Sequence, residues 1–375
     1  MTNMLAASSA VDSVKALVNA LCGPESILII SVIALAVFLV GYRYFTRPVV
    51  AGSVGAVVCV LFVLSAFDAN FAKIISKADN VPIVMMTFAV GFFIWLAMRQ
   101  AAINDTATKQ GRPLIEAGAD DKVLVWPDLV YIELICLVLC TALLTVWAIV
   151  LRAPLEQPAD PNVAPNPAKA PWYFLGLQEL LVYFDPWLAG VVLPGLIIVG
   201  LAAIPYLDKN PRGNGYYTFA ERKFAVSTFL FGFVILWIVL IMVGTFLRGP
   251  NWNFFGPFEY WDHNRPAALV NREFHDLVWI GLFSRPLPQA DVGFIPAFLI
   301  RELPGILLVA GYFVLGPAVL YALFFKKIYR QIGFIRYSVL SMLLLTMLLV
   351  PIKMVLRWTL NLHYIVGVTE WFFNV

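Results

Sequence analysis

Charge is scarce in this chain. Of its 375 residues 13% are charged and 61% are hydrophobic, where an average protein carries about 25% charged residues. Such a chain reads as a polytopic membrane protein. Its formal net charge of +3 is too small to imply a nucleic-acid partner. Histidine is scarcer still: the only three are His263, His275 and His363. Bis-histidine haem needs pairs of histidines inside neighbouring helices, so this chain is not expected to supply them. Cysteines number four and no CxxCH occurs, which excludes a covalent c-type haem and gives no disulfide framework. No metal site is expected. Cys136 and Cys140 are four apart and read as small core residues on one helix face. Residues 1–21 lack a basic stretch followed by an apolar core, so no cleavable signal peptide is expected there. Residues 11–21 have helical apolar spacing and read as a surface helix. Cys22 is not expected to be lipidated.

What is present is length without charge. A spanning helix needs about 20 apolar residues. Eight stretches qualify: 28–45, 49–67, 81–98, 129–150, 187–207, 224–247, 303–325 and 337–360. Nothing alternates like barrel strands, and backbone satisfaction in lipid then leaves helices. The expected fold is therefore an all-α polytopic helical bundle of about eight transmembrane helices. Its last hairpin should turn between Lys326 and Arg336.

Lys and Arg near the span ends set orientation. One set of loops holds Arg43, Arg47, Arg99, Lys109, Arg112, Lys122, Lys209, Arg212, Arg222, Lys223, Lys326, Lys327, Arg330 and Arg336. These cluster in short loops, so that side should be cytoplasmic. Both termini and the loop before residue 187 then fall on the outer side.

That outer loop is the most informative stretch. A proline-rich run, from Pro158-Ala159-Asp160-Pro161 to Pro167, stays extended because each ring fixes φ and restrains its predecessor. It leads to Pro171-Trp172-Tyr173-Phe174-Leu175-Gly176-Leu177-Gln178-Glu179, where the chain turns helical at a Trp-Tyr pair. Such aromatics favour the membrane–water boundary. Alone, they read as anchors of an interfacial helix. Glu179 is seven residues after Trp172 and is expected on the same helix face, about 10 Å along the axis.

Together, Trp126-Pro127-Asp128-Leu129, the Pro-Ala-Asp-Pro element, Pro171-Trp172-Tyr173-Phe174 and the apolar spans ending near Leu247 resemble the C-terminal half of cytochrome b. The likeness is strongest to subunit IV, the separate chain that carries this half in split cytochrome bc-type complexes. It covers roughly residues 121–258. The family signature is P-E-W-Y after P-A-D-P; here Pro171 stands where the family has its acid. The resemblance implies a membrane subunit of a quinol:cytochrome c-type oxidoreductase, in electron transfer coupled to proton translocation. Pro171, Trp172, Tyr173 and Phe174 would wall an outer-face quinol-oxidation pocket. Glu179, the next carboxylate, is the candidate proton acceptor, and Glu133, one turn into its span, a candidate inner-face proton or quinone group.

The implied cofactors are quinol/quinone (menaquinone or ubiquinone) and haem b carried by a partner chain. The implied partners are a haem-bearing cytochrome b N-terminal-half chain, a Rieske-type iron–sulfur protein, a c-type cytochrome and the lipid membrane. The implied location is the inner membrane of a bacterium. The organisation expected is a three-span extension (1–100), a cytoplasmic loop (101–127), the cytochrome b-like core (128–258), an outer interfacial segment (259–302) and a last hairpin (303–375). The alternative class is a non-catalytic scaffold or anchor subunit, which the missing acid at Pro171 favours. A transporter is weaker, because no internal repeat is visible. Lys353 and Arg357 are expected to pair with Glu302, Glu370 or anionic lipid, and His363 to be an interfacial histidine bonded to a neighbour.

Overall fold

A computed structural model describes all residues except 1, 119–122, 152–157, 159, 163, 210–216, 267–269, 293–294, 369–370 and 372, and for residues 2–10 the backbone only. The chain is an all-α, multi-pass membrane protein. Among the described residues, seven helices are long and apolar enough to cross a membrane: Pro48–Ser65, Val81–Lys109, Val125–Val150, Leu188–Leu207, Lys223–Leu247, Ala297–Ile332 and Phe334–Leu360. An eighth arises if Val11–Leu21 and Pro24–Val40, bent by 78°, count as one span. The folded chain divides into two compact units, described separately.

One unit comprises residues 37–168 and 213–226. Its helices start where the sequence supplies a start. Arg47 is extended and Pro48 opens the next helix, a position where a missing N–H costs nothing. Asp68 caps Ala69–Ile75 by accepting from Asn70 N and Phe71 N at 2.9 and 3.0 Å, as N-cap aspartates do. Val125–Val150 buries none of its apolar window, although its mean hydropathy is 2.5. Cys136 and Cys140 are exposed on it, which corrects the core reading: no described residue of this unit covers them.

The other unit comprises residues 1–36, 169–212 and 227–375. Its core joins Leu180, Tyr183, Phe184, Leu188 and Ala189 to Ile235 and Leu240 of one span and Val350 and Met354 of the last. Two glycines permit a close approach. A Cβ on Gly176 would meet Ile241 Cγ1 at 3.3 Å, and one on Gly244 would meet the Leu175 carbonyl oxygen at 3.1 Å. The short helix Leu175–Leu180 therefore lies tight against Lys223–Leu247.

The last hairpin turns more sharply than its charge pattern suggests. The helix continues through Lys326–Ile332 and breaks only at Gly333, whose φ is +80°, a conformation glycine adopts without a Cβ penalty. Beyond Leu360 the tail forms a small antiparallel pair, Gly367–Val368 with Phe373–Asn374. Trp187 Nε1 donates to the Asn374 carbonyl at 3.0 Å.

Candidate functional site

Pro171 is extended, as its ring demands, and Trp172–Phe174 is a single 3-10 turn. The loop is fastened on both sides. Lys169 Nζ donates to the Thr245 carbonyl at 2.7 Å and sits 5.0 Å from the Trp261 ring centre. Gln178 Oε1 accepts from Ala170 N at 2.8 Å. Trp172, Tyr173 and Phe174 are 41%, 46% and 50% exposed. They pack edge-on and tilted against one another, with Tyr173 and Phe174 ring centres 4.6 Å apart. The Tyr173 hydroxyl has no hydrogen-bond partner among the described residues.

Glu179 takes the opposite environment and is fully buried. Trp172, on the 3-10 turn ahead of Leu175–Leu180, is instead exposed. Arg248 binds Glu179 two-pronged, Nε to Oε2 at 2.9 Å and Nη2 to Oε1 at 2.6 Å. The Tyr183 hydroxyl donates to Oε1 at 3.2 Å. Arg248 Nη1 also donates to the Trp252 carbonyl at 2.9 Å. This fork geometry is the strong form of the carboxylate–guanidinium contact. Burial first, and then the Glu179 charge, push the Tyr183 phenol far above its ordinary range. A pocket lined by Glu179, Tyr183, Leu28, Val243, Met354 and Trp358 has room for about one water molecule.

Arg248 and Tyr183 were not singled out in the sequence. Two signals point to them. Arg248 is the first charge after a long apolar span, and Tyr183 lies at i+4 from Glu179. Glu133 is exposed in the first turn of Val130–Val150.

A second polar cluster surrounds Glu302, also fully buried. Arg301 Nε reaches its Oε1 at 2.9 Å, the Gly367 N–H donates to Oε2 at 3.0 Å, and His275 Nδ1 lies 2.8 Å from Oε1. The last is a close charge contact, not an aligned hydrogen bond. Burial would lower the His275 pKa, but the Glu302 carboxylate outweighs it, and the net shift is upward. His363 Nδ1 lies 3.1 Å from Glu273 Oε1, so this histidine is bonded to a neighbour as expected. Tyr364 is pushed up to about 12, by burial and then by Asp185.

The expected pairing of Lys353 with Glu302 is not found, because Glu302 is already occupied by His275, Arg301 and Gly367. Lys353 is fully buried with no hydrogen-bond partner among the described residues, its Nζ 6.0 and 5.9 Å from the Phe184 and Tyr364 ring centres. Arg357 instead donates to Asn271 Oδ1 at 2.7 Å. Glu370 lies outside the described residues.

The histidines do not fit a haem. His275 and His363 are engaged by carboxylates, and His263 is exposed in a turn. No two face each other between spans.

Comparison with known families bears on this segment. Residues 158–257 match the cytochrome b(C-terminal)/b6/petD family. The matched stretch holds the aromatic turn, Glu179, Tyr183 and Arg248. It supports a subunit of a cytochrome bc/b6f-type complex, whose N-terminal cytochrome b half is a partner, with quinone and haem associated with the complex. No solved structure matches the chain.

Proposed function

We propose that this chain is a membrane subunit of a quinol:cytochrome c-type oxidoreductase and that it forms one wall of an outer-face quinol-oxidation site. The observation that supports this best is the buried Glu179–Arg248 pair beginning one turn after an exposed aromatic triplet, within the cytochrome b-like segment. Quinol oxidation needs apolar surface, a hydrogen-bond partner for a quinol hydroxyl and a route for protons. Pro171, Trp172 and Phe174 supply the apolar surface. The unpartnered Tyr173 hydroxyl supplies the hydrogen bond. Glu179 supplies the proton acceptor, reached through Tyr183 or a water in the small pocket. To take a proton it must loosen one contact with Arg248 or Tyr183, so Arg248 sets when it does so.

The pocket at Glu179 is too small for a quinone ring. The ring would therefore lie on the exposed face of the aromatic turn, with a partner chain closing the other side. Haem b belongs to the N-terminal-half partner, and a Rieske-type protein and a c-type cytochrome take the electrons. Glu133 is assigned to an inner-face proton or quinone role.

The scaffold reading rests on one specific observation: both Glu179 oxygens are already engaged. A photoreactive quinone analogue, applied to the intact complex in membranes, separates the two. Labelling of the peptide containing residues 171–174 is expected. Labelling of other chains with none on this peptide would leave the scaffold reading.

A further inference from the structure

The three N-terminal spans lie outside the matched segment 158–257, and the quinol reading gives them no task. One of them outgrows the membrane. Val81–Lys109 has 29 residues, about 44 Å at 1.5 Å per residue, where a span needs about 30 Å. Its apolar stretch ends near Met98, and the surplus turns carry Asn104 and Asp105. Polar side chains there should be solvated. Instead Asn104 is fully buried and Asp105 is 3% exposed.

Part of the cover is a short piece of the cytochrome b-like segment. Asp105 Oδ2 accepts from Tyr42 OH at 2.7 Å and from Ala220 N at 2.9 Å. Asn104 Nδ2 donates to the Tyr217 carbonyl at 3.0 Å and to Glu116 Oε2 at 2.8 Å. The Ile115 N–H donates to Asn104 Oδ1 at 3.3 Å. Phe219, 5% exposed, places its ring 4.7 Å from that of Tyr42. The loop is thus held by one backbone N–H, one backbone carbonyl and one buried ring. This is how a peptide is gripped: main-chain bonds for affinity and a ring pocket for register.

We propose that the end of this span, with Tyr42, is a receptor for residues 217–220, and that clamping this loop is what the N-terminal extension contributes to the cytochrome b-like segment. The dependence is mutual. A buried carboxylate is tolerable only when hydrogen-bonded, and one of Asp105's donors comes from 115 residues away. The loop needs the carboxylate as well. Ala220 precedes Lys223, where the next helix starts, and backbone N–H groups ahead of a helix have no partner within it. The inference does not rest on the quinol reading.

Amide exchange tests it on the full chain in lipid nanodiscs, reading the Ala220 amide by mass spectrometry with residue resolution. Asp105→Ala removes the acceptor and should speed Ala220 exchange about tenfold or more, since a lost buried partner shifts local opening by at least that factor. Asp105→Asn keeps a side-chain oxygen and should stay within about threefold of wild type. Unchanged exchange in Asp105→Ala, with amides elsewhere at their wild-type rates, overturns the clamp. If that variant does not accumulate, Tyr42→Phe serves. It keeps the ring against Phe219 and removes one donor from Asp105, so a rise of about threefold is expected and no rise counts against the clamp.

Discussion

Glu179 and Glu302 are both completely buried, yet they are buried with different company. Glu179 is gripped by a guanidinium, two-pronged, and by a phenol. Neither partner changes charge near neutral pH. Glu302 is held by Arg301, by a backbone N–H of the tail and by His275, and a histidine does change charge in that range. The first network ties a loop helix to the end of a span behind an exposed aromatic turn. The second ties the tail to the body. Burial of a carboxylate therefore does not identify a reaction site. What distinguishes Glu179 from Glu302 is the kind of partner and the surface in front of it.

The largest effect expected from this contrast is at Arg248. Arg248→Ala leaves Glu179 inside the protein without its counter-charge. Removing one member of a buried pair typically costs about 3–5 kcal/mol. The thermal midpoint in detergent should fall sharply, whereas Glu302→Gln should fall less, because glutamine still accepts from Gly367 N. The double change Glu179→Gln with Arg248→Met should recover most of the loss, since no unpaired charge remains. A larger fall for Glu302→Gln than for Arg248→Ala would invert the comparison.

A smaller effect sharpens it from the other side. His275 has a raised pKa in the folded protein because the Glu302 carboxylate outweighs its burial. Its contribution is then fully present below the ordinary histidine value of about 6.5 and is lost as pH rises through the higher folded value. The exchange protection factor of the Gly367 amide, which donates to Glu302, should therefore fall as pH rises from about 6.5. The Glu179 network should show no such change, because its counter-charge is an arginine. His275→Gln should flatten the dependence for the tail; a dependence that survives this change assigns it to another group.

The membrane class and the rough span positions were legible because hydropathy alone determines them. What hydropathy leaves open is packing. Val125–Val150 and Lys223–Leu247 have mean hydropathies of 2.5 and 2.7, yet their apolar windows are 0% and 39% buried. Glycines at 176 and 244 mark the packed one, and their meaning appears only once the two backbones are side by side. The aromatic turn was legible from Pro171 and the Trp-Tyr pair, and Glu179 from being the next acid. Its true partner was not, because Arg248 is 69 residues away. Of the partners expected for Lys353, Glu302 is taken by His275 and Arg301, a competition that spacing does not reveal.

The smallest effect expected is at the exposed end of the site, and it bears most directly on function. Tyr173 is about half exposed and packs against Phe174, so Tyr173→Phe removes an oxygen and little else. Stability and assembly should stay at the wild-type level, in contrast to Arg248→Ala. If the hydroxyl binds a quinol oxygen, one hydrogen bond worth about 0.5–1.5 kcal/mol is lost. Turnover should then fall roughly threefold to tenfold. Quinol:cytochrome c activity at matched complex content and saturating quinol measures this, together with the apparent KM. A loss confined to KM means the bond is made equally in ground and transition states; a loss in kcat means it strengthens during oxidation. Unchanged kcat and KM would remove Tyr173 from the site and reduce the aromatic turn to an interfacial anchor.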